Sequence, residues 1–112
     1  MSTSVGEVWT IDFGEPYPGE PAHHRPAMIV GPPTTFTDSF PFRMVVPFTA
    51  THRGLSVHIE IEPSEANGLD ETSYAQCELL RSINKPRLVH RLGSVDSDVL
   101  ARTDIVLRVL LD

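Results

Sequence analysis

The chain has 112 residues, a length suited to one domain with its own core. With 40% hydrophobic and 21% charged residues, its composition is neither that of a disordered chain nor that of a membrane-spanning one. Nine Lys plus Arg against fifteen Asp plus Glu give a formal net charge of -6, which excludes an undifferentiated basic surface for coating nucleic acid.

The first residues, MSTSVGEVW, have neither the basic nor the apolar region of an export signal, and no apolar run approaches the roughly 20 residues of a membrane helix. One cysteine, Cys77, can form no internal disulfide and no Cys-based zinc cluster. A cytoplasmic protein held together by packing is expected, with residues 1–5 flexible and a single domain over residues 1–112.

In chain order, Glu7 to Phe13 alternates, with Val8, Thr10 and Asp12 opposite Trp9, Ile11 and Phe13, and predicts a first strand. Seven of the ten prolines fall between Pro16 and Pro41, so this part consists of connections rather than helix. Within it, Ala27 to Val30 reads as a short buried strand, and Thr34 to Pro41 as another connection. Arg43 to Thr49 is rich in β-formers, but Pro47 requires an edge, a bulge or a strand end. Ser56 to Ile61 alternates cleanly. Asn67-Gly68 marks a turn before a strand predicted from Tyr74 to Ile83, and Arg87 to Arg91 supplies a further short strand. The tail changes period: Leu100, Thr103 and Leu107 form a helical stripe, with Ser94 as the expected N-cap and Asp96 and Asp98 in the acid-favouring first turn. The architecture expected is a small β-barrel closed by a C-terminal helix.

Five histidines invite a metal reading, but adjacent His23 and His24 point in different directions and no third ligand is suitably spaced. No metal or cofactor is expected. No HExxH, phosphate-binding glycine loop or GxSxG elbow is present. Arg81, Lys85, Arg87 and Arg91 fall within eleven residues that contain no acid. Such a stripe suits a polyanion if its members converge on one face, and otherwise is a solvated surface; patterning alone leaves both readings open. Trp9, Tyr17, Phe36, Phe40, Phe42 and Tyr74 are candidate stacking residues, Trp9 being better placed in a core and Tyr17 at the surface.

The succession Gly6-Glu7-Val8-Trp9, Asp12-Phe13, a Pro/Gly loop, Arg25-Pro26-Ala27, Pro47-Phe48-Thr49, Cys77 to Ile83 and Lys85-Pro86-Arg87-Leu88 resembles the MazF/PemK/Kid toxins, the ribonuclease components of toxin-antitoxin systems. The resemblance runs from about Gly6 to Leu111. It implies a mainly β, SH3-like small barrel with a C-terminal α-helix. It also implies a homodimer, metal-independent and sequence-selective cleavage of single-stranded RNA, and inhibition by a cognate antitoxin with an acidic C-terminal tail.

Carried over residue by residue, Arg25 matches the family's arginine at the end of the first loop, where a guanidinium can hold the scissile phosphate by two charge-assisted hydrogen bonds. Thr49 matches the threonine of the family's Pro-x-Thr motif; Ala50 replaces the serine that commonly follows it. Glu78 stands where one branch of the family carries an aspartate assigned as general base, although a surface glutamate is an equal reading of it. Gln76 stands in the place of a catalytic arginine, a departure that leaves that role unfilled. Tyr17, His24, Arg81, Ser82, Lys85 and Arg87 are implied as contacts for RNA, the basic segment also serving the antitoxin tail. Cys77, with no histidine paired to it in sequence, is read as a buried small hydrophobe rather than a nucleophile. The alternative function is a non-nuclease toxin of the related CcdB kind, binding a macromolecular target such as DNA gyrase.

Overall fold

The computed structural model describes residues 3–33 and 39–112. The candidate stacking residue Phe36 and most of the connection expected from Thr34 lie outside the described residues. Seven strands and one helix follow in order: β1 Glu7–Asp12, β2 His24–Gly31, β3 Phe42–Thr49, β4 His58–Ile61, β5 Ser73–Gln76, β6 Arg81–Asn84, β7 Leu88–Ser94 and α1 Ser97–Leu111. All pairings are antiparallel, in the order β4-β5-β3-β2-β1-β7, with β6 also paired to β3. The fold is thus mainly β with a C-terminal helix, as expected, and its strand order is compatible with an SH3-like barrel.

The alternation in β1 serves two cores rather than a core and a solvated face. Val8 packs with Met28, Val46, Phe48, Ile59, Ile61 and Val99. Trp9, Ile11 and Phe13 pack with Ala27, Ile29, Val45, Ile83 and Leu88. This double burial explains why Ala27 to Val30 and Met44 to Val46 read as continuous apolar runs. The helix covers the first core: Val99 and Thr103 are buried, and Leu100, Val106 and Leu107 pack against it. The buried Thr103 hydroxyl donates to the Val99 carbonyl at 2.8 Å, so a polar group on the helix's inner face is satisfied locally.

Three local expectations are corrected. The helix cap is Asp96, whose carboxylate accepts from the Val99 N–H at 2.8 Å, whereas Ser94 ends β7 and its N–H donates to the Ala66 carbonyl. The last predicted strand is Leu88–Ser94 rather than Arg87 to Arg91, because Lys85–Arg87 forms a 3-10 turn started by Pro86. The strand predicted from Tyr74 to Ile83 is broken by a 3-10 turn at Cys77–Leu79. The break lets two short strands share one long neighbour: β6 pairs with β3 from Phe42 to Val45, and β5 pairs with it at Phe48 and Thr49. Pro47 falls in the gap between these pairings, where a missing N–H is least disruptive.

Near the N-terminus, the Thr3 hydroxyl accepts from Arg43 Nε at 2.6 Å, and the Gly6 N–H donates to the Ile29 carbonyl. The Asn67-Gly68 turn is organised by the Asn67 side chain, which accepts from the Ser64 and Leu69 N–H groups and donates to the Glu62 carbonyl. Gly68 has φ of +70°, and a side chain there would run into the Leu92 carbonyl. This turn anchors buried Leu69 and so fixes the course of Asp70 and Glu71.

Candidate active site

The site arises where β2 and β3 stop pairing. Their ladder sets Met28 opposite Val46 and Ala27 opposite Pro47, and ends there. Continuing the register by two residues sets Arg25 against Thr49, each still held on its far side, Arg25 by Ile11 of β1 and Thr49 by Tyr74 of β5. A cleft of about 410 Å³ opens at this point, lined by Arg25, Pro26, Phe48, Thr49 and Ala50 and, from the other wall, by Leu69, Asp70, Glu71 and Ser73.

Arg25 is half-buried, and among the described residues no acid forms an ion pair with its guanidinium. The Thr49 hydroxyl accepts from the Thr51 N–H at 3.2 Å, which leaves its own proton for a further acceptor. Together they supply a fixed cation and a hydroxyl donor on one wall of the cleft, an arrangement suited to a phosphate group. The base of the loop before Arg25 is tied by the Phe13 N–H donating to the His23 carbonyl and the His23 N–H donating to that of Gly14. His23 takes a left-handed conformation, φ 51°, at this closure. His24 lies 3.8 Å from the Asp12 carboxylate, and Tyr17 is 79% exposed on the loop.

The basic stripe divides. Arg81 lies over the Phe13 ring at 5.5 Å, and Arg87 Nη1 donates to the Asp12 carbonyl at 3.0 Å, so both gather at the end of β1, next to Arg25's neighbour Ile11. Arg91 lies elsewhere, paired with Glu7 at 3.3 Å and donating to Ser94. Ser82 is exposed on β6 opposite Met44, and the Lys85 N–H donates to the Pro41 carbonyl.

Glu78 is not among the residues lining the cleft. It sits in the 3-10 turn after β5, its carboxylate 2.8 Å from Nε2 of His58, a side chain only 3% exposed. His58 pairs directly with Gln76 across β4 and β5, and both His58 Nδ1 and Gln76 Oε1 are buried without a hydrogen-bond partner. Burial, and then the adjacent Glu78 carboxylate, push the Cys77 thiol up to about 11, which keeps it protonated and unreactive near neutral pH. Partial desolvation, with the nearby carboxylates of Glu60 and Glu62, raises the Tyr74 phenol.

Asp70 and Glu71 are cleft residues that the sequence did not single out. The Asn67-Gly68 turn signalled a reversal, but only the packing of Leu69 shows that the following acids fold over Arg25 and Thr49.

Residues 4–111 match the family model for the PemK-like, MazF-like toxin of type II toxin-antitoxin systems. A probable endoribonuclease MazF of Mycolicibacterium smegmatis is 30% identical over 107 residues, covering 95% of this chain and 94% of the relative. Endoribonuclease MazF9 of Mycobacterium tuberculosis is 28% identical over 113 residues, covering 96% and 94%. Among solved structures, MazF from Deinococcus radiodurans superposes with a TM-score of 0.82 at 20% identity, covering 99% of this chain and 97% of that one. An endoribonuclease in complex with its cognate antitoxin, from a mycobacterial species, gives 0.79 at 20% identity, covering 98% and 95%. At these identities the structures show a shared fold, and the family model and the relatives show the kinship: the chain belongs to the PemK-like, MazF-like toxin family of type II toxin-antitoxin systems.

Proposed function

We propose that the chain is an endoribonuclease toxin that cleaves single-stranded RNA selectively and without a metal ion. The observation that carries this reading is that Arg25 and Thr49 line one cleft where the β2–β3 ladder ends, with the guanidinium half-buried and, among the described residues, no acid paired to it. Membership of the family, and the endoribonuclease activity named for two relatives, support it over the gyrase-binding alternative.

In this mechanism Arg25 binds the scissile phosphate and stabilises the charge that develops on its nonbridging oxygens, and Thr49 donates a hydrogen bond to the same group. The RNA 2′-oxygen attacks the adjacent phosphorus as its proton passes to a carboxylate. The bond from phosphorus to the 5′-oxygen breaks, that oxygen takes a proton from solvent, and the products end in a 2′,3′-cyclic phosphate and a 5′-hydroxyl. Glu78 is the base in this scheme. It is held by His58 in the 3-10 turn after β5, outside the cleft lining, so it takes this role when the 2′-hydroxyl beside the bound phosphate lies on the β5 side. Arg81, Ser82, Lys85 and Arg87, with Tyr17 of the first loop and His24 at the start of β2, position the RNA strand without reading its sequence, the exposed Tyr17 ring excepted.

The protein acts as a homodimer in the cytoplasm and is neutralised by an antitoxin with an acidic C-terminal tail. Solved toxin-antitoxin complexes of the same fold support the antitoxin, and the uncovered apolar surface of Met44, Ile105, Val109 and Leu111 supports assembly. No helix among the described residues is long and apolar enough to cross a membrane. The test is to incubate the protein with a long unstructured RNA in excess EDTA and map the new ends. Discrete ends of the stated chemistry are expected, and their absence with folded protein overturns the reading.

A further inference from the structure

The row of residues that contains Arg25 and Thr49 continues beyond them. Thr49 pairs directly with Tyr74 on β5, and Tyr74 with Glu60 on β4. The Tyr74 ring lies beside that of His52, from the loop after β3, with centroids 5.2 Å apart and planes inclined at 59°. The two rings are tilted rather than stacked face to face, and His52 is exposed. Tyr74 and Glu60 are direct partners across β4 and β5.

A phosphate held between Arg25 and Thr49 has its flanking bases about one sugar's width away, comparable to the roughly 4.8 Å that separates neighbouring strands. On the β1 side the neighbour of Arg25 is Ile11, which is fully buried. On the β5 side the neighbour of Thr49 is Tyr74, with His52 beside it. Of these two directions, only the second offers an aromatic face to an unstacked base. The sequence also marked Tyr17, but that ring stands out on the first loop and has no second ring with it among the described residues.

We propose that His52 and Tyr74 form a stacking subsite for one nucleobase flanking the scissile phosphate, and so contribute to the choice of cleavage site. The proposal deepens the endoribonuclease reading and rests on it for the position of the phosphate. Recognition of single-stranded RNA commonly uses bases splayed out and stacked on aromatic side chains. The stacking itself is tolerant of base identity, so the pair selects for a base that can leave its neighbours, and other loop residues read its edge.

The test is steady-state cleavage of a short RNA at a mapped site by wild type, Tyr74→Ala, Tyr74→Phe and His52→Ala, using intact RNA and RNAs abasic at each flanking nucleotide. Tyr74→Ala is expected to raise KM roughly five- to a hundredfold with a smaller effect on kcat, and Tyr74→Phe to stay close to wild type. Removing one flanking base should cost wild type a similar factor, and Tyr74→Ala nothing further. Equal losses for Tyr74→Ala on intact and abasic RNA, or an unchanged KM, overturn the subsite. Binding of an uncleavable RNA, 2′-deoxy throughout, carrying the same abasic scan, separates the two claims. If wild type cleaves nothing but Tyr74 and one base still act as a coupled pair in binding, the nuclease reading fails and the subsite stands.

Discussion

Arg25 of β2 and Thr49 of β3 line one cleft just beyond the last pair of the ladder between their strands, Ala27 with Pro47. Neither depends on a loop for its position: Arg25 is held by β1 and Thr49 by β5. The Arg-Pro-Ala and Pro-Phe-Thr sequences thus meet where that ladder ends.

Arg25→Ala should lower kcat by about 10²- to 10³-fold, the usual cost of removing one preorganised donor to developing charge. Because Arg25 has no acid partner to strand among the described residues, stability should change by no more than about 0.5 kcal/mol. Arg25→Lys should recover only part of the rate, since an ammonium lacks the planar fork that binds two phosphate oxygens. Single-turnover rates and a thermal melt check both.

Asp70 and Glu71 place negative charge on the wall facing Arg25. Asp70→Asn and Glu71→Gln should each lower KM for RNA severalfold, because each removes repulsion from the phosphate backbone, and the gain should shrink as salt rises. KM measured at two ionic strengths tests this.

The strands were legible wherever alternation was clean, as in Glu7 to Asp12 and His58 to Ile61. The break at Cys77–Leu79 was not, because it comes from β3 being long enough to pair with two short strands in succession, a tertiary fact absent from local pattern. Asp96 displaced Ser94 as the cap because β7 extends through Ser94, and both residues are good caps in isolation. Arg25 and Thr49 were legible through their motifs. The acids on the opposite wall were not, since only the folding of the Asn67-Gly68 turn brings them there. The charge of -6 therefore acquires a local meaning: some of the acids face the site itself, and the basic groups that accompany Arg25 are Arg81 and Arg87 at the end of β1, with Arg91 spent on Glu7.

Asp96→Ala should destabilise the protein by about 1 kcal/mol through loss of the bond to the Val99 N–H, and leave the rate per folded molecule unchanged. Chemical denaturation alongside a rate measurement reads both effects.

Cys77 should resist iodoacetamide at neutral pH in the native protein and react after denaturation. Its folded-state thiol is raised from 9.0 to about 11. The stability this contributes is full below about pH 9 and is lost as pH rises through about 11, because the unfolded thiol ionises first. Cys77→Ala should flatten the fall in stability over that window, measured by denaturation at stepped pH.

The most direct measurement is single-turnover cleavage of one end-mapped RNA site, in EDTA, by wild type, Arg25→Ala, Thr49→Ala and the double variant. If the two side chains hold one phosphate, each single variant is slowed severely while remaining folded, and the double variant is slowed by clearly less than the product of the two losses. Unchanged cleavage by Arg25→Ala, or losses that simply multiply, would contradict a shared phosphate site between Arg25 and Thr49.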